Sequence, residues 1–98
     1  MDIVLKETGK ILGLRETGTK LRKILEDALS NNENVLIDFD GVDSISSSFA
    51  DEFIAKAFMN TGRDKFSTNV KIKNANDFIK VIINSSLSER LRLGFKQE

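Results

Sequence analysis

The chain has 98 residues, its 15 basic and 15 acidic side chains cancel, and it contains no cysteine, histidine or proline. Balanced charge excludes the basic footprint of a nucleic-acid binder. The missing cysteine excludes disulfides and thiolate metal sites, and the missing histidine removes the commonest general base and metal ligand.

Ile3-Val4-Leu5 is a short apolar run that ends at Glu7-Thr8-Gly9 and predicts a first strand, with Ile11-Leu12 as its hairpin partner before Gly13 breaks the pattern. Residues 17–29 predict a helix: Leu21, Ile24, Leu25 and Ala28 recur at helical spacing, Leu29 widens the stripe, and Thr17 or Thr19 caps the start. Ser30-Asn31-Asn32 stops it. Val35 to Phe39 is mostly apolar, the pattern of a strand covered on both faces. Asp40-Gly41 then turns the chain, with Val42 and Ile45 pinned to the core.

Residues 48–59 predict a second helix with two apolar rows, Phe49-Phe53-Ala57 and Ala50-Ile54-Phe58, ended by Asn60-Thr61-Gly62. Arg63-Asp64-Lys65 reads as solvated surface. Val70-Lys71-Ile72-Lys73 alternates as a half-exposed strand. Asn74 to Asp77 opens a third helix carrying Phe78, Ile79, Val81, Ile82 and Ile83, which Ser85-Ser86 is expected to interrupt. Leu87, Leu91 and Leu93 fit a short helix or a last strand. Ser88-Glu89-Arg90 is a further capping pattern, and Phe95 is a core anchor or an exposed contact. Strands that alternate with helices predict one small α/β domain over 1–98. Its central sheet is expected to be mostly parallel, with about four strands and about three helices.

The stretch SISSSFADEF, residues 44–53, places three serines at the start of the second helix. Ser48 followed by Asp51 three residues later matches a capping box, and Asp51 and Glu52 suit the positive end of the helix dipole. That leaves Ser46 and Ser47 without a role. The strand VLIDF, the approach DGVDSI, the serine cluster and the apolar helix together resemble the STAS domain family of the anti-sigma-factor antagonist type. Aligned with that family's motif, Ser46 stands at its Asp position, Ser47 at its phosphorylated serine, and Phe49 replaces its Gly. Arg15 and Ser48-Phe49-Ala50-Asp51-Glu52 are similar to a divergent branch, the STAS-like domains of unknown function.

The resemblance implies a non-enzymatic regulatory module of a bacterial signalling system. Its partner would be an ATP-binding kinase-like or anti-sigma-like protein. Ser47 is then the phosphorylation candidate, and Asp43, Ser46, Ser48, Asp51 and Glu52 form the partner-binding surface. A phosphate there would meet free helix N–H groups, while Asp51 and Glu52 one turn away would oppose it. Arg15 is expected to pair with Asp38, Asp40 or Asp43, or to offer its cation to a partner or a phosphate. The alternative is a sensor that binds a small anion or nucleotide at the same helix N-terminus.

No catalytic constellation, cofactor or metal site is implied. Gly13 to Lys20 resembles a phosphate-binding loop, but Thr19 and Lys20 stand in reverse order. The acidic residues from Asp38 to Glu52 lack the spacing of a calcium loop. No apolar run approaches the roughly 20 residues needed to span a bilayer, and Asp2, Lys6, Glu7 and Lys10 interrupt any leader-like start. The expected location is the cytoplasm, away from membrane and nucleic acid. The sequence leaves the oligomeric state open.

Overall fold

The computed structural model describes the backbone of residues 1–96 and the side chains of residues 1–93. Strand β1 (Asp2–Val4) runs into a 3-10 turn (Leu5–Glu7), followed by β2 (Ile11–Leu12), α1 (Arg15–Ser30), β3 (Val35–Asp38) and β4 (Ser44–Ile45). A continuous helical run over 47–61, here α2, is α-helical at Ser47–Ala50, widens to a π turn at Asp51–Ala55 and returns to α at Lys56–Thr61. Helix α3 (Arg63–Asn69), β5 (Val70–Lys73) and α4 (Asp77–Lys96) complete the domain.

The expected parallel architecture is present but divided. β1, β3 and β5 form a three-stranded parallel sheet with β3 in the centre, and β2 and β4 form a separate two-stranded parallel pair. Ile11-Leu12 therefore makes no hairpin with the first strand. The 3-10 turn carries the chain off the sheet, and the Lys10 carbonyl accepts from Asp43 N at 2.8 Å, so β2 runs alongside β4 in the same sense. Ile3, Val35, Ile37 and Val70 fill the sheet's share of the core, and Leu5, though outside the strand, is fully buried.

Several expected boundaries shift. α1 begins at Arg15, its N-cap is Leu14, and no side chain caps it; Thr19 Oγ1 instead donates back to the Arg15 carbonyl at 3.1 Å. Ile24 is 44% exposed because it lies about 100° around the helix from Leu25, at the stripe's border. Arg63-Asp64-Lys65 does face solvent at least in part, but it opens a helix whose Phe66 is buried with its ring 5.3 Å from that of Phe58. The sharp change of direction between α2 and α3 falls on Gly62 at φ +100°, a backbone state that L side chains resist. Ser85-Ser86 does not interrupt α4, because Ile79, Ile83 and Ser86 are all buried on one face and packing overrides serine's weak helix preference. Leu87, Leu91 and Leu93 therefore continue that helix, and Ser88 caps nothing. Asn76 is the cap, its Oδ1 accepting from Ile79 N at 2.8 Å. The Phe95 side chain lies outside the described residues.

Candidate functional site

The two apolar rows of α2 point inward as expected: Phe49, Ala50, Phe53, Ile54 and Ala57 are buried. The π turn adds Glu52 and Ala55 to the buried set, so that residues 52–55 are buried without a break. π turns are rare and often accompany functional sites.

The serines at the head of α2 divide their roles. Ser46, not Ser48, is the N-cap: its Oγ accepts from Phe49 N at 3.0 Å and donates to the Gly13 carbonyl at 2.8 Å. It thus ties the helix start to the chain leaving β2. Ser47 is the first helical residue and is exposed, and Ser48 follows half-buried. The capping box does not form, because Asp51 is held elsewhere.

Asp51 faces α4. Arg90 donates to it from Nε at 2.6 Å and from Nη2 at 2.8 Å, and Arg15 Nη1 approaches at 3.4 Å. Glu52 faces α1 and is only 7% exposed. It accepts from Arg15 Nη1 at 2.8 Å and Lys56 Nζ at 2.6 Å, with Arg22 Nη1 at 3.4 Å. Gly18 lets α1 come this close, since a Cβ there would stand 2.9 Å from the Glu52 Cβ. Hydrogen bonding to Arg90 foremost, then Arg15, holds the Asp51 carboxyl below its ordinary value. Lys56 foremost, then Arg15, does the same for Glu52 against an opposing burial penalty. The same bonds raise Arg15 and Arg90.

Arg15 therefore pairs with Asp51 and Glu52, not with Asp38, Asp40 or Asp43. Asp38 accepts from Asn74 and from Asp40 N, each at 2.9 Å, and Asp40 faces Lys6 at 3.9 Å. Asp43 is joined to β2 through its main chain, and its carbonyl accepts from Asn76 at 2.9 Å. The acidic pair also does not stand bare before the serines. Four cations, Arg15, Arg22, Lys56 and Arg90, surround two carboxylates.

An open cleft of about 490 Å³ lies between the head of α2 and the middle of α4, lined by Arg15, Ser47, Ser48, Asp51, Ser85, Ser86, Glu89, Arg90 and Leu93. It brings together Arg15, Ser47, Ser48 and Asp51 from the expected set; Ser46 and Glu52 do not line it, though Glu52 is bonded to Arg15. Asp43 does not line it. Among the described residues no group of three or more acidic side chains converges as a metal site would, and no helix is long and apolar enough to cross a membrane.

A family described as "STAS-like domain of unknown function" matches residues 17–80. The chain belongs to this family. No curated protein and no solved structure matches it. The matched span of the STAS-like domain runs from α1 through the first turn of α4, so it includes the serine head of α2 but not the far wall of the cleft. Arg15, Ser85, Ser86, Glu89 and Arg90 all fall outside it. Sequence reasoning overlooked Arg90, Arg22, Lys56 and the Ser85-Ser86 pair as parts of this site. Lys56 was legible as the i+4 partner of Glu52. Arg90 carried no local signal, since it lies 39 residues from Asp51.

Proposed function

We propose that this STAS-like domain is a non-enzymatic docking module of a bacterial signalling system, acting in the cytoplasm. It would bind an ATP-binding kinase-like or anti-sigma-like protein through the head of α2, with the Ser47 hydroxyl as the switch. The observation that carries this is the division of labour among the serines. Ser46 is consumed by the cap, whereas Ser47 sits exposed at the first helical position beside the cleft. A hydroxyl there is open to a kinase and makes no structural bond that modification would break. Phosphorylation adds close to two negative charges and would repel a surface shaped for a neutral hydroxyl. Ser48 and Asp51 would extend the contact, while Ser46 and Glu52 would act by holding the head of the helix in place. Asp43 stands apart from the cleft and would contribute only to a partner broad enough to reach β4.

The test is affinity capture from the native host with wild type, Ser47→Ala and Ser47→Asp as baits, followed by calorimetry on the captured ATP-binding protein. Wild type and Ser47→Ala should bind it alike, and Ser47→Asp at least tenfold more weakly. Equal affinity for all three removes the switch.

A further inference from the structure

The three-stranded sheet is open at β5, an end strand whose described partner is β3. Parallel register sets Lys73 opposite Asp38, and the Lys73 carbonyl accepts from Phe39 N at 3.0 Å. Main-chain groups of successive strand residues turn to opposite sides, so Lys71 and Lys73 bond toward β3. Ile72 therefore points its N–H and C=O away from the sheet, where among the described residues they meet no partner. Such an edge is a template for a further strand. Beside it a groove of about 490 Å³ runs between β5 and α4, lined by Ile72, Asn74, Ala75, Lys80, Ile83 and Asn84. None of these residues lines the serine cleft. Ile72 is 39% exposed.

The charges select what pairs there. Lys71 and Lys73 are exposed on the face opposite Ile72, and Lys80 borders the groove. None of the three makes an ion pair among the described residues. No acidic residue lines the groove. Asp38, across from Lys73, already accepts from Asn74 and from Asp40 N. A second copy of the chain fits this edge badly. A twofold axis would run two β5 strands antiparallel, and every register that pairs Ile72 then sets lysine against lysine. Like charges directly opposite destabilise a sheet, whereas opposite charges stabilise it.

We propose that the β5 edge takes an extended acidic segment of a partner protein as an added strand. Its main chain bonds to the Ile72 N–H and C=O. The residue opposite Ile72 is aliphatic and enters the groove against Ile72 and Ile83. Its two neighbours, opposite Lys71 and Lys73, lie on the other face and are Asp or Glu. The recognised pattern is acidic, aliphatic, acidic, with main-chain bonds supplying affinity and alternate side chains specificity. The lysines that keep two copies apart are the ones that choose the partner. The edge shares no lining residue with the serine cleft, so this binding does not rest on the Ser47 switch.

The experiment is an NMR titration of the chain with the synthetic peptide Ser-Glu-Val-Glu-Val-Glu-Ser, blocked at both ends. A control peptide carries Lys in place of each Glu. Amide shifts over 70–74 report binding, and hydrogen exchange at the Ile72 amide reports whether the main chains pair. The glutamate peptide should shift these amides saturably and slow exchange at Ile72. The lysine peptide should bind about tenfold more weakly, the size expected when two cross-strand charge pairs turn from attractive to repulsive. In the double variant Lys71→Glu/Lys73→Glu the preference should reverse, with circular dichroism checking the fold. Should that variant unfold, the two peptides on the wild-type chain still decide. Equal binding of the two peptides, no saturable shift, or shifts without protection of the Ile72 amide overturns the proposal. So does an unreversed preference in the folded variant, or self-association of the chain that itself protects the Ile72 amide.

Discussion

Arg90 grips Asp51 through two hydrogen bonds, 2.6 Å from Nε and 2.8 Å from Nη2, joining the last helix to the head of α2. Paired contacts of this kind between a guanidinium and a carboxylate are the stronger class of side-chain hydrogen bond. Arg90 remains about one third exposed, so water screens part of the gain. Arg90→Ala should lower stability by about 1–2 kcal/mol. For a domain of this size that is a fall in Tm of roughly 5–12 °C. Thermal unfolding followed by circular dichroism checks this, and an unchanged Tm would show that the grip contributes nothing in solution.

Acid should loosen the same site. Asp51 and Glu52 have depressed carboxyl values in the folded state. Their contribution is therefore complete above the ordinary carboxylate value of about 4 and is lost as pH falls through the folded values. Asp38, lowered chiefly by its bond from Asn74, adds to the same slope. Urea midpoints measured from neutral pH downward should hold level and then drop below about pH 4. Asp51→Asn should flatten the drop, and an identical slope in that variant would assign the acid sensitivity to other groups.

Among the three serines, only the first should matter for folding. Ser46→Ala removes both the cap on Phe49 N and the tie to Gly13, at a cost of about 1–2 kcal/mol. Ser47→Ala and Ser48→Ala, which lose no hydrogen bond, should stay within about 0.5 kcal/mol of wild type. Urea unfolding of the three variants gives the ranking. Ser48→Ala as the costliest would restore the capping box and contradict the observed geometry.

Gly18→Ala sets helix preference against space. Alanine is favoured over glycine by about 1 kcal/mol inside a helix. Here the new Cβ would stand 2.9 Å from the Glu52 Cβ and 3.2 Å from the Phe49 carbonyl, so α1 must back away from α2. Overpacking of that kind costs about 1–3 kcal/mol, and the net effect should be destabilising. A rise in the urea midpoint would show that the two helices separate at little cost.

The apolar run from Val35 and the inward rows of α2 were legible because periodicity reports burial directly: Val35, Ile37, Phe39 and most of both rows are buried, whereas Leu36 and Phe58 are half-buried, so β3 is fully covered on one face and not on both as expected. The cap was not legible, because three consecutive serines present the same hydroxyl at each position. The choice of Ser46 depends on the Gly13 carbonyl, 33 residues away. β4 escaped notice because two residues carry no period, and α4 was cut too early because local preference at Ser85-Ser86 ignores what Ile83 and Ser86 pack against. The charge cluster was the least legible part. Arg15, Arg22 and Arg90 reach Asp51 and Glu52 from 30 to 39 residues away, and no local pattern encodes such distances.

The π turn sets how stiff the tip of α2 can be. Two neighbouring carboxylates leave it in different directions, Asp51 toward the last helix and Glu52 toward the first. The tip is thus guyed from both flanks like a mast, and it cannot slide along its axis or roll without slackening one stay. A visiting molecule would meet the hydroxyls at a set height and angle, and would lose little entropy in ordering them.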